Sequence, residues 1–130
     1  DPSARTNPED AAQFVADTGV DLLAVAVGSS HAMATREAVL DNQLIAAIHE
    51  LVPVPLVLHG SSGVPDEGMV AAIQAGKINV STHLNVVFTQ GVRQILDENP
   101  KIVDPRKYVG PATHLVQEEV ERLMRLYAQA

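Results

Sequence analysis

Two histidines stand where apolar runs give way to small-residue turns: Asp21-Leu-Leu-Ala-Val-Ala-Val-Gly-Ser-Ser-His31 and Pro55-Leu-Val-Leu-His59-Gly-Ser-Ser-Gly63. A run apolar on both faces is the mark of a strand buried within a parallel sheet, and residues at the carboxyl end of such a strand face the mouth that carries a site. Both imidazoles are therefore expected to face one cleft as two metal ligands. The chain has no cysteine, so a metal would be held by imidazole and carboxylate. The plain alternative, a satisfied polar residue at a strand end, is favoured for a lone histidine but not for two in matching Gly/Ser contexts.

Two further clusters could bind an anion. Gly60-Ser-Ser-Gly63 precedes a helix opened by Pro65-Asp66, and a turn of small residues at a helix amino terminus offers backbone N–H groups and partial positive charge to a phosphate. Glycine lets the backbone come close, while Ser62 can donate its hydroxyl. In Asn79-Val-Ser-Thr82, Asn79 and Ser81 share one face of a strand end and Thr82 begins the next turn. Ordinary capping would explain Ser81 or Thr82 but leaves the Asn79 amide without a reason.

The elements that position these residues alternate. Asn7-Pro-Glu-Asp is a capped helix start whose stripe is Ala11, Phe14 and Val15 and whose end is Gly19. A strand over 21–27 follows. A helix from about Asp41 places Leu44, Ile45 and Ile48 at helical spacing, and Pro53 and Pro55 stop it. Next come a strand over 55–58, a helix from Pro65-Asp66 to Gly76 and a strand over 77–81. Two helices, 84–96 and 111–128, close the chain, the second presenting Val116, Val120, Leu123, Met124 and Tyr127 on one face. The order αβαβαβαα implies right-handed crossovers and a parallel α/β sheet. Three strands with open edges would leave backbone groups unpaired, so the chain reads as part of a larger barrel.

Composition bounds the partners. The 130 residues are 46% hydrophobic and 19% charged, an ordinary globular balance, and no run reaches the roughly 20 apolar residues of a membrane span. The amino end lacks a signal-peptide core, so a cytoplasmic protein is expected. A formal charge of -7, without a basic and aromatic stretch, argues against nucleic acid. His49 and His114 lie among polar neighbours on helices and read as surface residues.

Four segments, Ala26-Val-Gly-Ser-Ser-His31, Leu56-Val-Leu-His-Gly-Ser-Ser-Gly-Val-Pro-Asp66, Lys77-Ile-Asn-Val-Ser-Thr-His-Leu84 and Asp104-Pro-Arg-Lys-Tyr108, make the chain resemble the carboxyl-terminal half of class II, metal-dependent ketose-bisphosphate aldolases of the fructose- and tagatose-bisphosphate type. The resemblance runs nearly end to end. It implies a TIM (β/α)8 barrel, with residues 1–130 as a single segment carrying the last three strands and terminal helices. The implied reaction is reversible cleavage of a ketose 1,6-bisphosphate to dihydroxyacetone phosphate and glyceraldehyde 3-phosphate.

The same resemblance assigns roles. His31 and His59 would be two of three zinc ligands, with another divalent ion compatible with imidazole and a monovalent cation a further candidate cofactor. Gly60 and Ser62 would contact phosphate, Asn79 the dihydroxyacetone oxygens, and Thr82, with Ser81 as a weaker candidate, the phosphate. Arg106 resembles an arginine that reaches a neighbouring subunit's site and holds the far phosphate; its alternative is a solvated loop arginine paired with Asp104. The proton-transferring carboxylates and third zinc histidine are expected before residue 1, leaving the isolated segment inactive. A homodimer or homotetramer is implied by family alone.

The chain departs from the usual spelling at Ala32, where glycine is common, at Ser61, where a second glycine is common, and at His83, where an acidic residue is common; about two residues are missing before Lys77. The alternative functions are a non-catalytic phosphosugar-binding relative and an inactive or assembly fragment docking through the last helix. Fructose and tagatose bisphosphates, which differ in the configuration of one hydroxyl, are not distinguished.

Overall fold

The computed structural model describes residues 4–30 and 35–128. These fall into two compact units, one up to Val80 and one from Ser81 onward.

The first unit alternates helix and strand as the sequence pattern requires. Helix α1 spans Pro8–Thr18, with the Asn7 side chain accepting the Asp10 N–H at its start and left-handed Gly19 at its end. An asparagine cap of this kind contributes about 1 kcal/mol. Strand β1 is Leu23–Ala24, α2 is Asn42–Leu51 capped by Asp41, β2 is Leu56–Leu58, α3 is Asp66–Ile73 and β3 is Gly76–Ile78. The strands form a parallel sheet in the order β1-β2-β3, pairing Leu23 with Leu56 and Val57 with Lys77. Only β2 is buried at every position, as expected of the central strand. Helix α1 packs on α2, α2 on α3, and α3 on β3. Ile48, Met69, Val27 and Val64 are the most deeply buried large apolar side chains.

The first strand is shorter than the expected span of 21–27. The ladder runs one step past Ala24, where the Val25 N–H donates to the Val57 carbonyl at 3.4 Å, and then the backbone finds other partners: Ala26 N–H donates to the Thr6 hydroxyl, Thr6 N–H donates to the Ala26 carbonyl, and the Val27 carbonyl accepts from Asp41 N–H. These bonds satisfy the groups that a longer ladder would use. Arg5 also pairs with Asp41, tying the segment before α1 to the cap of α2.

The second unit is a helical hairpin of α4, Thr82–Glu98, and α5, Arg106–Ala128. The last helix starts five residues before the expected Pro111, which lies inside it. Asp104-Pro105 supplies the true start: Asp104 Oδ1 accepts the Arg106 N–H, and the Pro105 carbonyl accepts the Val109 N–H. An acceptor side chain followed by proline also opens α1, though there Asn7 takes the N–H three residues on and Pro8 is itself helical. Gly91, buried, lets the helices approach, since a Cβ there would lie 2.7 Å from Leu115 Cδ1. His83 Nε2 lies 2.6 Å from Glu119 Oε1, and Arg122 Nε donates to Glu119 Oε2 at 2.8 Å. Arg122 first, with His83 assisting, holds the Glu119 carboxyl at about 2 against an ordinary 4.5, although partial burial opposes the shift. Among the described residues, no helix is long and apolar enough to cross a membrane.

Candidate functional site

The candidate site lies where β2 and β3 end side by side. The ladder continues one step beyond β3, with Asn79 N–H donating to the Leu58 carbonyl at 3.0 Å. That bond sets His59 and Asn79 on adjacent strand ends. Asn79 Nδ2 lies 3.5 Å from His59 Nε2, at the outer limit of a hydrogen bond. The His59 imidazole is exposed, so it can reach a ligand.

The turn after His59 is fixed from both sides. Gly60 has φ of 66°, and a Cβ there would lie 2.6 Å from the Ser30 carbonyl carbon and oxygen, so only glycine fits both the conformation and the space. Ser29 Oγ donates to the His59 carbonyl at 2.6 Å, linking the turn after β1 to the end of β2. Ser61 is 2% exposed, and its hydroxyl donates to the Asn79 carbonyl at 2.5 Å. A buried hydroxyl must find such a partner. Residues Ser61–Gly63 form one 3-10 turn, all three buried.

Of the expected site residues, the structure brings together His59, Gly60, Ser62 and Asn79. Ser62 is buried inside the turn and is not offered on an open surface. Ser81 occupies the cap position of α4 without a side-chain capping bond, and Thr82 is the first helical residue. Ordinary capping by Ser81 is thus not how that serine is used. Arg106 begins α5, 90% exposed at its side chain, with Nε and Nη2 on the Asp104 carboxylate. The pair lowers the Asp104 pKa and raises that of Arg106. His31 and Ala32 lie outside the described residues.

Sequence reasoning missed Arg36. Its Nε and Nη2 donate to the Val64 carbonyl at 3.1 and 2.8 Å, and Nη2 reaches Asp66 Oδ1 at 2.6 Å. No local pattern marks a contact across some thirty residues. Ser29 and Ser61 were legible only as small turn residues, because hydroxyl direction is a tertiary property.

Among the described residues, no three His, Cys, Asp or Glu side chains gather as a metal site. They supply one suitable imidazole, that of His59, whereas a zinc site takes three or four protein ligands. Of the two expected ligands only His59 lies among the described residues. They do form a rigid turn with a neighbouring amide and imidazole, suited to holding an oxygen-rich anion.

The chain matches the family described as Fructose-bisphosphate aldolase class-II over residues 1–130. It is similar to the crystal structure of the YdjI aldolase from Escherichia coli K12, with 34% identity and a TM-score of 0.77 over 95% of this chain and 46% of that one. A Coccidioides immitis protein, solved as a candidate fructose-1,6-bisphosphate aldolase, gives 28% identity and a TM-score of 0.76 over 95% of this chain and 43% of that one. Fructose-bisphosphate aldolase from Campylobacter jejuni, at 24% identity and a TM-score of 0.64 over 98% of this chain and 45% of that one, shares the fold. The chain spans less than half the length of each. Together with the parallel βα repeats, these likenesses identify the architecture as part of a TIM barrel.

Proposed function

Because this chain belongs to the class-II fructose-bisphosphate aldolase family, we propose that the whole protein reversibly cleaves a ketose 1,6-bisphosphate, fructose or tagatose, to dihydroxyacetone phosphate and glyceraldehyde 3-phosphate. In this reading residues 1–130 are the carboxyl-terminal half of the barrel domain. The observation that carries it is the His59–Asn79 juxtaposition at the ends of neighbouring parallel strands, beside the Gly60 turn.

The reaction leaves negative charge on the oxygens of the dihydroxyacetone phosphate half, so preorganised donors aimed at those oxygens accelerate it. Asn79 donates its amide to one of them. Its position is kept by the Ser61 bond to its carbonyl and by the backbone ladder to Leu58. Gly60 brings backbone close to a phosphate, while a phosphate contact by the Ser62 hydroxyl, buried inside the turn, rests on the resemblance. For Ser81, Thr82 and Arg106, phosphate binding rests on the resemblance. Zinc ligated by His31, His59 and a residue from the remainder of the protein would supply a Lewis acid to the substrate oxygens. A cytoplasmic homodimer or homotetramer belongs to the same proposal.

The test is metal content and aldolase turnover of the full-length protein beside His31→Ala and His59→Ala, with both sugar bisphosphates. Stoichiometric zinc in the wild type, with turnover lost by more than about a thousandfold in both variants, is the expected result. A wild type without turnover that still binds the sugar bisphosphates would replace this reading with that of a phosphosugar-binding relative.

A further inference from the structure

We propose that Arg36 is a positioning residue for phosphate, holding the Gly60–Val64 turn in the arrangement that binds the anion and screening the Asp66 carboxylate from it. The proposal rests on the reading of that turn as a phosphate site.

Three observations converge. The Arg36 guanidinium forks onto the Val64 carbonyl through two nitrogens, at the point where the 3-10 turn passes into α3. Two bonds from a planar fork to one carbonyl fix both its distance and its direction. One residue earlier the Gly63 carbonyl accepts the Ala38 N–H at 2.8 Å, so the segment around 36–38 grips two successive carbonyls of the turn. Val64 itself is fully buried and its N–H closes the turn on the Ser61 carbonyl at 2.9 Å. The Val64–Pro65 peptide carries no N–H and the Val64 N–H is spent on Ser61, so these bonds anchor the carboxyl-terminal end of the turn, and through it the preceding Gly60, Ser61 and Ser62 peptides whose N–H groups would meet the anion.

The electrostatic argument is separate. Asp66 stands in the first turn of α3, where a carboxylate is favoured by the helix dipole but would repel an incoming phosphate. Arg36 Nη2 at 2.6 Å offsets that charge. The guanidinium side chain is 33% exposed, sheltered enough to keep one geometry yet open to a small solute. Lysine could restore the charge but not the fork.

The experiment compares full-length wild type, Arg36→Ala and Arg36→Lys for kcat, for KM with the ketose bisphosphate, for competitive inhibition by inorganic phosphate, and for thermal midpoint. Arg36→Ala is expected to raise KM and the inorganic phosphate inhibition constant together by about five- to tenfold, with kcat within about twofold, because the lost interaction serves ground state and transition state alike. Arg36→Lys should fall between the two. Millimolar guanidinium ion should bring the KM of Arg36→Ala back toward wild type. The proposal is overturned if KM and phosphate inhibition are unchanged in Arg36→Ala. It is equally overturned if kcat and thermal midpoint fall together without recovery by guanidinium, which would mark a purely structural residue. A wild type that neither turns over the sugar bisphosphates nor responds to phosphate would remove the underlying reading as well; an active, phosphate-inhibited wild type insensitive to Arg36 removes this proposal alone.

Discussion

The strand-bearing unit and the α4–α5 hairpin solve the problem of holding a shape in different ways. Among the described residues, every fully buried apolar side chain except Ala112 and Leu123 belongs to the strand-bearing unit. There the dry core fixes the elements, and polar side chains such as Ser29, Arg36 and Ser61 are used to fix loops. In the hairpin most apolar side chains are half-buried, and Gly91 with the His83–Glu119–Arg122 cluster sets how the helices meet. The lesson is that precise loop geometry sits on the region with its own core, where the supporting backbone cannot drift.

The sharpest way to break that comparison is to hollow out the first core. Ile48→Ala, at a fully buried position, should cost about 2–5 kcal/mol by urea unfolding of the full-length protein, because neighbours only partly fill the space. A cost below about 1 kcal/mol would contradict the assignment of the core. The two glycines give the next contrast. Gly60→Ala pushes a Cβ into Ser30 backbone at a left-handed position and should cost roughly 2–4 kcal/mol while raising KM. Gly91→Ala crowds the tip of Leu115, an exposed and flexible side chain that can give way, meets Ala112 at ordinary contact and gains helix propensity, so a change within about 1 kcal/mol is expected.

Glu119→Gln probes the charged cluster. The folded-state pKa of about 2 lies below the ordinary 4.5, so this carboxylate contributes stability above pH 4.5 that is lost as pH falls toward 2. The variant should be about 1 kcal/mol less stable at pH 7, a figure reduced for solvent screening, and the gap should close across that acid window in unfolding curves. The smallest effect belongs to Arg106→Ala. Its ion pair with Asp104 is solvent-screened, so the unfolding midpoint should not move; a raised KM would mean that the guanidinium leaves Asp104 for substrate phosphate.

Much of the fold was legible. Asn7-Pro8 with Gly19, and Asp41 ahead of Leu44, Ile45 and Ile48, mark two helices because caps and 3.6-residue spacing are local signals. The extent of β1 was not legible, since the groups of Ala26 and Val27 are satisfied by Thr6 and Asp41 from elsewhere in the chain. Pro111 misled for a related reason: proline marks a helix start locally, yet Asp104-Pro105 upstream already provided one. That His59, Gly60 and Asn79 would stand at strand ends was legible from residue type. The contact of Arg36 was not, because its partners Val64 and Asp66 lie on another segment some thirty residues on.

By itself, the sequence determined the element order, the parallel sheet and the residue types at the strand ends, because periodicity, caps and small-residue turns act over a few residues. Tertiary structure alone decided which carbonyl each hydroxyl and guanidinium would meet. Ser61 on Asn79, Ser29 on His59 and Arg36 on Val64 each join chain segments eighteen to thirty residues apart. Such contacts follow from sheet register and crossover packing, which set positions to a fraction of an ångström that no local pattern encodes.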